Sequence, residues 1–317
     1  AFPGAQGFGS NTPGGRGGTI LFVTNLNDSG PGSLRAACET RGARIILFRV
    51  AGLIDLKSTL PIREPFVTIA GQSAPGEGVC LRGRGLLIET HDVVVRFLRS
   101  RPGDIAGVET DAIGVGGDSR NVVLDHCSAS WGTDECLSPS GNISAVTVQW
   151  CLIAEGLNRS VHHKGAHGYG SLVRAAGGLS LHHNLWAHNQ GRNPRLGDNY
   201  GKPPYPVFDV RNNLIYDPGS ASIAGDRLDA NYVANYVKPG PAAAVARGII
   251  APTEQASLRF FVEGNVVEGL PEALRDPLRL FIRIYRNGSK LVELVRTPFV
   301  VPPIDTVSAM NAYEAVL

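Results

Sequence analysis

A short apolar stretch ending in Asn or Cys recurs through the middle of this chain. It reads Val-Val-Leu-Asp-His-Cys127, then Val-Thr-Val-Gln-Trp-Cys151, Leu-Ser-Leu-His-His-Asn184, Phe-Asp-Val-Arg-Asn-Asn213, Asn-Tyr-Val-Ala-Asn235 and Phe-Val-Glu-Gly-Asn265. The intervals are 24, 33, 29, 22 and 30 residues. Val-Val-Val-Arg-Phe-Leu98 and Val-Thr-Ile-Ala-Gly-Gln72 extend the series upstream. One such strand cannot bury its own apolar face, but a stack of them builds a continuous core. The variable interval predicts fixed strands with loops on one set of turns. The fold expected is therefore all-β, a single-stranded right-handed parallel β-helix. A β-sandwich is the alternative, but the close hairpin turns of antiparallel strands are missing.

In such a stack equivalent residues lie about 4.8 Å apart, so Asn184, Asn213, Asn235 and Asn265 are expected to form an inward amide ladder. Cys127 and Cys151 fall in the same column. The five cysteines are too scattered for a disulfide framework or a zinc site and read as buried apolar residues, with room for one disulfide. Residues 1–45 are glycine-rich and are expected to cap the first coil, 46–269 to form the coils, and 270–317 to cap the end as part of a single domain. That last segment reads as a hairpin around Asn287-Gly288 and a short helix with Thr306 near its cap.

Charged residues make up 18% and the formal net charge is +2, so bulk charge points to neither nucleic acid nor membrane. No apolar run approaches the ~18 residues of a membrane span. The start Ala1-Phe2-Pro3-Gly4, with no signal peptide, fits the mature N-terminus of a secreted, monomeric protein.

Ionisable residues concentrate in three clusters: the acids Asp104, Glu109, Asp111, Asp125, Asp134 and Glu135; the segment His162-His163-Lys164-Gly-Ala-His167-Gly-Tyr169; and His182-His183-Asn184 through Arg192-Asn-Pro194-Arg195. Parallel stacking brings distant turns side by side, so all three are expected to build one groove. Glu109, Asp111 and Asp134 could share a hard cation such as Ca2+. Asp125, inside a strand, could instead be a structural hydrogen-bonding residue. His182 and His183 should point to opposite faces of their strand and not chelate together. His167 and Tyr169 could line the groove or merely support a turn.

His-His-Asn184 followed by Arg192-x-Pro194, with Asp-His-Cys-Ser-Ala-Ser-Trp131 and Lys-Gly-Ala-His-Gly-Tyr-Gly170, resembles polysaccharide lyase family 1 of the pectate lyase superfamily, in its bacterial branch. The resemblance implies Ca2+-assisted β-elimination of polygalacturonate, an acidic plant cell-wall polysaccharide, to 4,5-unsaturated oligogalacturonates. It implies Arg192 as base, Lys164 as carboxylate partner, and Glu109, Asp111 and Asp134 as Ca2+ ligands. A further family aspartate falls at Ser138, where Glu135 could substitute, and the family's second arginine falls at Gly197, where Arg195 could bind substrate instead. The rivals are a β-helical glycoside hydrolase, a pectin lyase, and a non-catalytic β-helix that binds acidic polysaccharide.

Overall fold

The repeated stretches are strands of one long sheet. In the computed structural model, which describes residues 1–241 and 249–317, eleven parallel strands stack in chain order from Thr19–Val23 to Val292–Leu294. A second parallel sheet of nine strands and two four-stranded parallel sheets close the coil. The architecture is a parallel β-helix, and part of its expected coil region, 242–248, lies outside the described residues.

The interior follows from the pleat. Alternate residues of each strand point inward, and straight register places like on like. Ile46, Ile69, Val95, Leu124, Val148, Leu181, Val210 and Tyr232 pair in succession, and all are buried. The chain then turns through one left-handed residue, as at His126, Trp150, His183, Asn212 and Ala234, with φ between 49° and 54°. That turn aims the next residue, Asn or Cys, into the core.

There the amides form a ladder. Asn184 Nδ2 donates to Asn213 Oδ1 at 3.0 Å, Asn213 Nδ2 to Asn235 Oδ1 at 2.9 Å, and Asn235 Nδ2 to Asn265 Oδ1 at 3.0 Å. Each Oδ1 also accepts the backbone N–H of the preceding rung. The cysteines continue the column: the Cys127 and Cys151 thiols donate to the Val95 and Leu124 carbonyls. All five cysteines are buried and free, so the disulfide that the sequence left room for is not formed.

Glycine serves the N-terminal segment in a way that composition alone did not show. This segment runs along the outer face of the long sheet, and its backbone donates to a track of small hydroxyls: Gly15 to Thr68, Gly9 to Thr147 and Phe8 to Ser180. A Cβ on Gly9 would lie 2.3 Å from the Val122 carbonyl oxygen, so only glycine permits that approach. The end of the helix is covered instead by Leu34–Glu39, which buries Leu34 and Cys38. Behind it the fully buried Arg44 directs its five N–H donors to five backbone carbonyls.

At the other end, Tyr285–Arg286 and Ser289–Lys290 pair antiparallel around Asn287 and Gly288, both at positive φ, as a two-residue hairpin requires. The chain then returns over the long sheet, where Asp305 and Gln6 exchange two hydrogen bonds. The final helix, Ala309–Val316, is capped by Ser308 rather than Thr306, because the Ser308 hydroxyl accepts the Asn311 N–H.

From His91–Arg96 onward, the turns between the long and second sheets are two residues long. Length variation falls on the connections out of the second sheet: Ser100 to Ile113, Ser130 to Leu137, Ala154 to Leu172, Ala187 to Arg195. These loops lie side by side and carry the ionisable residues.

Candidate active site

Two consecutive loops converge on one acidic centre. Asp111, Asp134 and Glu135 each offer a carboxylate oxygen, all within 4.8 Å of one another. The Glu135 N–H donates to Asp111 Oδ1 at 3.0 Å, fixing the two coils in register. Burial, and then the neighbouring Asp134 charge, push the Asp111 carboxyl up to about 8. Three clustered carboxylates repel unless a cation or protons neutralise them, and an all-oxygen donor set fits a hard divalent cation.

Glu109 does not join this group. It lies beside His163, whose backbone N–H donates to it at 2.8 Å and whose ring Nδ1 is 2.6 Å away. His162 sits between the two acidic groups, its Nε2 3.5 Å from Asp134 and 3.6 Å from Glu109. The Lys164 N–H donates to His162 Nδ1, which places the ring proton on Nε2 in the neutral imidazole. That nitrogen therefore presents a proton to the carboxylates rather than a lone pair to a metal. His167 is buried with Nε2 2.6 Å from Asp134 Oδ1, so it supports that carboxylate and does not line an open surface. Lys164 is exposed on the same loop.

Arg192 lies against the acidic centre. Its Nη1 contacts Glu135, and its guanidinium lies 4.4 Å from the centre of the Tyr169 ring. Tyr169 is bridged to Glu135 on one side and Gly191 on the other, so backbone register holds phenol, guanidinium and carboxylate together. Burial, the largest effect, lowers the Arg192 pKa, while Asp134 and Asp111 act against it. Ser138 contributes a hydroxyl that hydrogen-bonds Asp111 and accepts the Leu172 N–H.

Known proteins carry this fold and length of match. "Probable pectate lyase C" of Aspergillus terreus is 41% identical over 251 residues, 77% of this chain and 56% of that protein. Its counterpart in Aspergillus fumigatus strain Af293 is 40% identical over 301 residues, 92% of this chain and 66% of that one. The chain is homologous to the pectate lyases. It spans a little over half to about two thirds of these curated relatives, which are fungal although the motifs pointed to a bacterial branch. No family model matches the chain. Among solved structures, pectate lyase Bsp165PelA of Bacillus sp. N165, in complex with trigalacturonate, superposes with TM-score 0.66 at 16% identity, covering 99% of this chain and 97% of that one. That likeness speaks to the fold.

Relative to those expectations, the third cluster divides. His182 and His183 close the other corner of the coil, beneath the N-terminal segment, away from Arg192. They do not point to opposite faces: the left-handed backbone of His183 brings the two Nδ1 atoms to 3.0 Å. His183 stacks on Trp150 at 4.3 Å. Burial lowers His182 to about 3 and His183 to about 4. Asp125 is likewise structural, fully buried and bonded by Arg96 and Gln149.

A pH dependence follows. The folded pKa values lie below the unfolded value of about 6.5, so the unfolded state takes up protons first as pH falls. Stability from this pair is therefore present above about pH 6.5 and is lost as pH drops toward 4. His182→Gln should remove part of that loss, on the order of a few kcal/mol. Urea midpoints at neutral and acid pH measure it; equal acid losses in variant and wild type would refute the assignment.

Proposed function

We propose that this chain is a polysaccharide lyase that cleaves polygalacturonate by β-elimination. The observation that carries the reading is Arg192, half-buried between Tyr169 and a carboxylate centre suited to a divalent cation. The homology to pectate lyases supports the same reaction class.

The proton to be removed is at C5, α to the uronate carboxylate, and is weakly acidic. Asp111, Asp134 and Glu135 would hold Ca2+, with Ser138 supplying a hydroxyl where a fourth carboxylate is absent. When bound, Ca2+ would neutralise both the substrate carboxylate and the acids that otherwise retain the Arg192 proton. His162 and His167 orient Asp134, and Glu109 anchors the loop that carries Lys164. Lys164 meets a substrate carboxylate as a mobile point charge. Arg192, once it has lost its own proton to solvent, takes the C5 proton from a position fixed by Tyr169, and the O4-linked sugar leaves with formation of the C4–C5 double bond, its oxygen taking a proton from water. Burial lowers the Arg192 pKa and so favours the neutral guanidine that this transfer requires.

The three acids do not support a glycoside hydrolase. Their oxygens lie closer together than the carboxyl separations of inverting or retaining pairs, and Glu135 is engaged by Arg192. A secreted monomer acting on plant cell wall fits this substrate. Among the described residues no helix is long and apolar enough to cross a membrane.

The test is an ultraviolet assay for unsaturated product on polygalacturonate. Activity should disappear in chelator and return with added Ca2+, while Asp134→Asn should need far more Ca2+ for half-maximal rate. Full activity in chelator would remove the cation from the mechanism.

A further inference from the structure

The loops that carry Glu135, Tyr169 and Arg192 share one buried, uncharged side chain. Asn189 is 1% exposed and directly follows His188, a left-handed residue with φ 53°. The turn repeats, at the far end of the second sheet, the rule that builds the amide ladder: a left-handed residue aims the next side chain into the core. Trp131 and Glu155 make the same turn in the two preceding coils, where the next residue is Gly132 or Gly156.

The Asn189 amide is fully used. Its Nδ2 donates to the Ile153 carbonyl at 2.9 Å and to Asn193 Oδ1 at 3.1 Å. Its Oδ1 accepts the Gly156 N–H at 3.1 Å and faces the Cys136 thiol at 3.7 Å. Two donors and two lone pairs are all that an amide has. Burial pushes the Cys136 thiol up to about 12, so it stays protonated and able to donate. Asn193, equally buried, returns the bond: its Nδ2 reaches the Asn189 carbonyl at 3.4 Å.

Each partner belongs to a different part of the site. Cys136 follows Glu135, Gly156 lies at the start of the loop that carries His162, Lys164 and Tyr169, and Asn193 follows Arg192. One amide therefore sets the relative heights of carboxylate, phenol and guanidinium. The Asn189–Asn193 pair also closes the chain around Arg192, whose φ of +55° is a conformation that residues other than glycine keep only where their surroundings hold it. An apolar residue at 189 would leave the Gly156 N–H without this acceptor.

We propose that Asn189 is a positioning residue for the reaction, tying the three loops in register so that Arg192 is presented to Glu135, Tyr169 and substrate. Buried beneath the site, it acts on the rate through Arg192 and not by touching the sugar. The inference rests on the lyase reading for the reaction and on the hydrogen-bond pattern for the lock.

The experiment is a double-mutant cycle on polygalacturonate with Asn189→Ala, Arg192→Ala and both together, accompanied by amide hydrogen exchange. Asn189→Ala should lower kcat about 10- to 100-fold, the scale of a small misplacement of a reacting group, with KM changed much less. In the Arg192→Ala background the same substitution should cost less than about 2-fold, because the group it positions is already gone. A residue that only supported the fold would lower the active fraction by the same factor in both backgrounds, so equal losses would overturn the proposal. Exchange needs no turnover. The Gly156, Gly170 and Ser171 amides, bonded to Asn189, Gly191 and Arg192, should exchange faster in Asn189→Ala, while Asn184 in the ladder keeps its protection. If wild type forms no unsaturated product but the variant loses loop protection in this pattern, the lock stands and the lyase reading falls. If wild type is active and the variant keeps both kcat and loop protection, the lock falls and the lyase reading stands. Should Asn189→Ala not fold, Asn193→Ala breaks only the pair beside Arg192 and decides by the same cycle, with kcat down about 3- to 10-fold in wild type and unchanged in Arg192→Ala.

Discussion

Arg192→Ala is expected to reduce the rate of unsaturated-product formation by about 10^3-fold or more, the usual range for removing a positioned general base. The fold should survive, because the side chain is anchored by Glu135 and Tyr169 at a surface loop and no core packing is lost. Residue 192 has φ +55, and alanine tolerates that conformation no worse than arginine does, so the backbone cost is unchanged. The informative companion is Arg192→Lys. An ammonium titrates lower than a guanidinium, at about 10.4 against 12.5 or more. If residue 192 is the base, the alkaline limb of the pH–rate profile should move down in the lysine variant, although the maximal rate falls because lysine cannot lie flat on Tyr169. If the guanidinium only clamps a carboxylate, lysine should retain much of the rate with no shift. Stopped-time assays across alkaline pH distinguish the two, and near-wild-type activity in Arg192→Ala would end the proposal for this residue.

Asn213→Ala should cost about 3–5 kcal/mol of stability. The Asn213 side chain is 1% exposed. Its Oδ1 accepts from both the backbone and the side chain of Asn184, and its Nδ2 donates to the Leu181 carbonyl and to Asn235. Alanine leaves the Asn184 N–H and the Leu181 carbonyl without partners in the core, at roughly 1–3 kcal/mol each. It also leaves a small cavity. Asn213→Cys should recover part of the loss, because at positions 127 and 151 a thiol in this column already donates to the carbonyl one coil back. Denaturant midpoints measure both variants. A loss under about 1 kcal/mol for alanine would mean that water enters the column and that the ladder is not a structural spine.

The amide column was legible in the sequence because it is written in the repeat itself: an alternating strand, one turn residue, one Asn. The glycine-rich start was legible as a segment with a special role but not as a strip along the side of the helix. Gly9 and Gly15 are explained only by the carbonyls of coils far along the chain. The candidate site was half legible. Residue types singled out Asp111 and Asp134, the family resemblance singled out Arg192, and the structure groups them. Glu109 was expected beside Asp111 on the strength of their two-residue spacing, yet it bonds His163 and Glu135 takes its place. Spacing within one loop does not say which way a loop leaves the strand.

The amino-acid sequence by itself determined that this chain stacks parallel coils, and that Asn184, Asn213, Asn235 and Asn265 share one inward column. Both follow from the pleat and from a one-residue turn, which are local rules. It also named the arginine on which the proposed chemistry depends. Tertiary structure alone decided which polar residues meet. A left-handed residue at His183 sends the histidine pair to a corner away from Arg192, and strand register sets Glu135 beside Asp111. Those choices depend on the exit direction and relative height of neighbouring coils, which no stretch of sequence carries on its own.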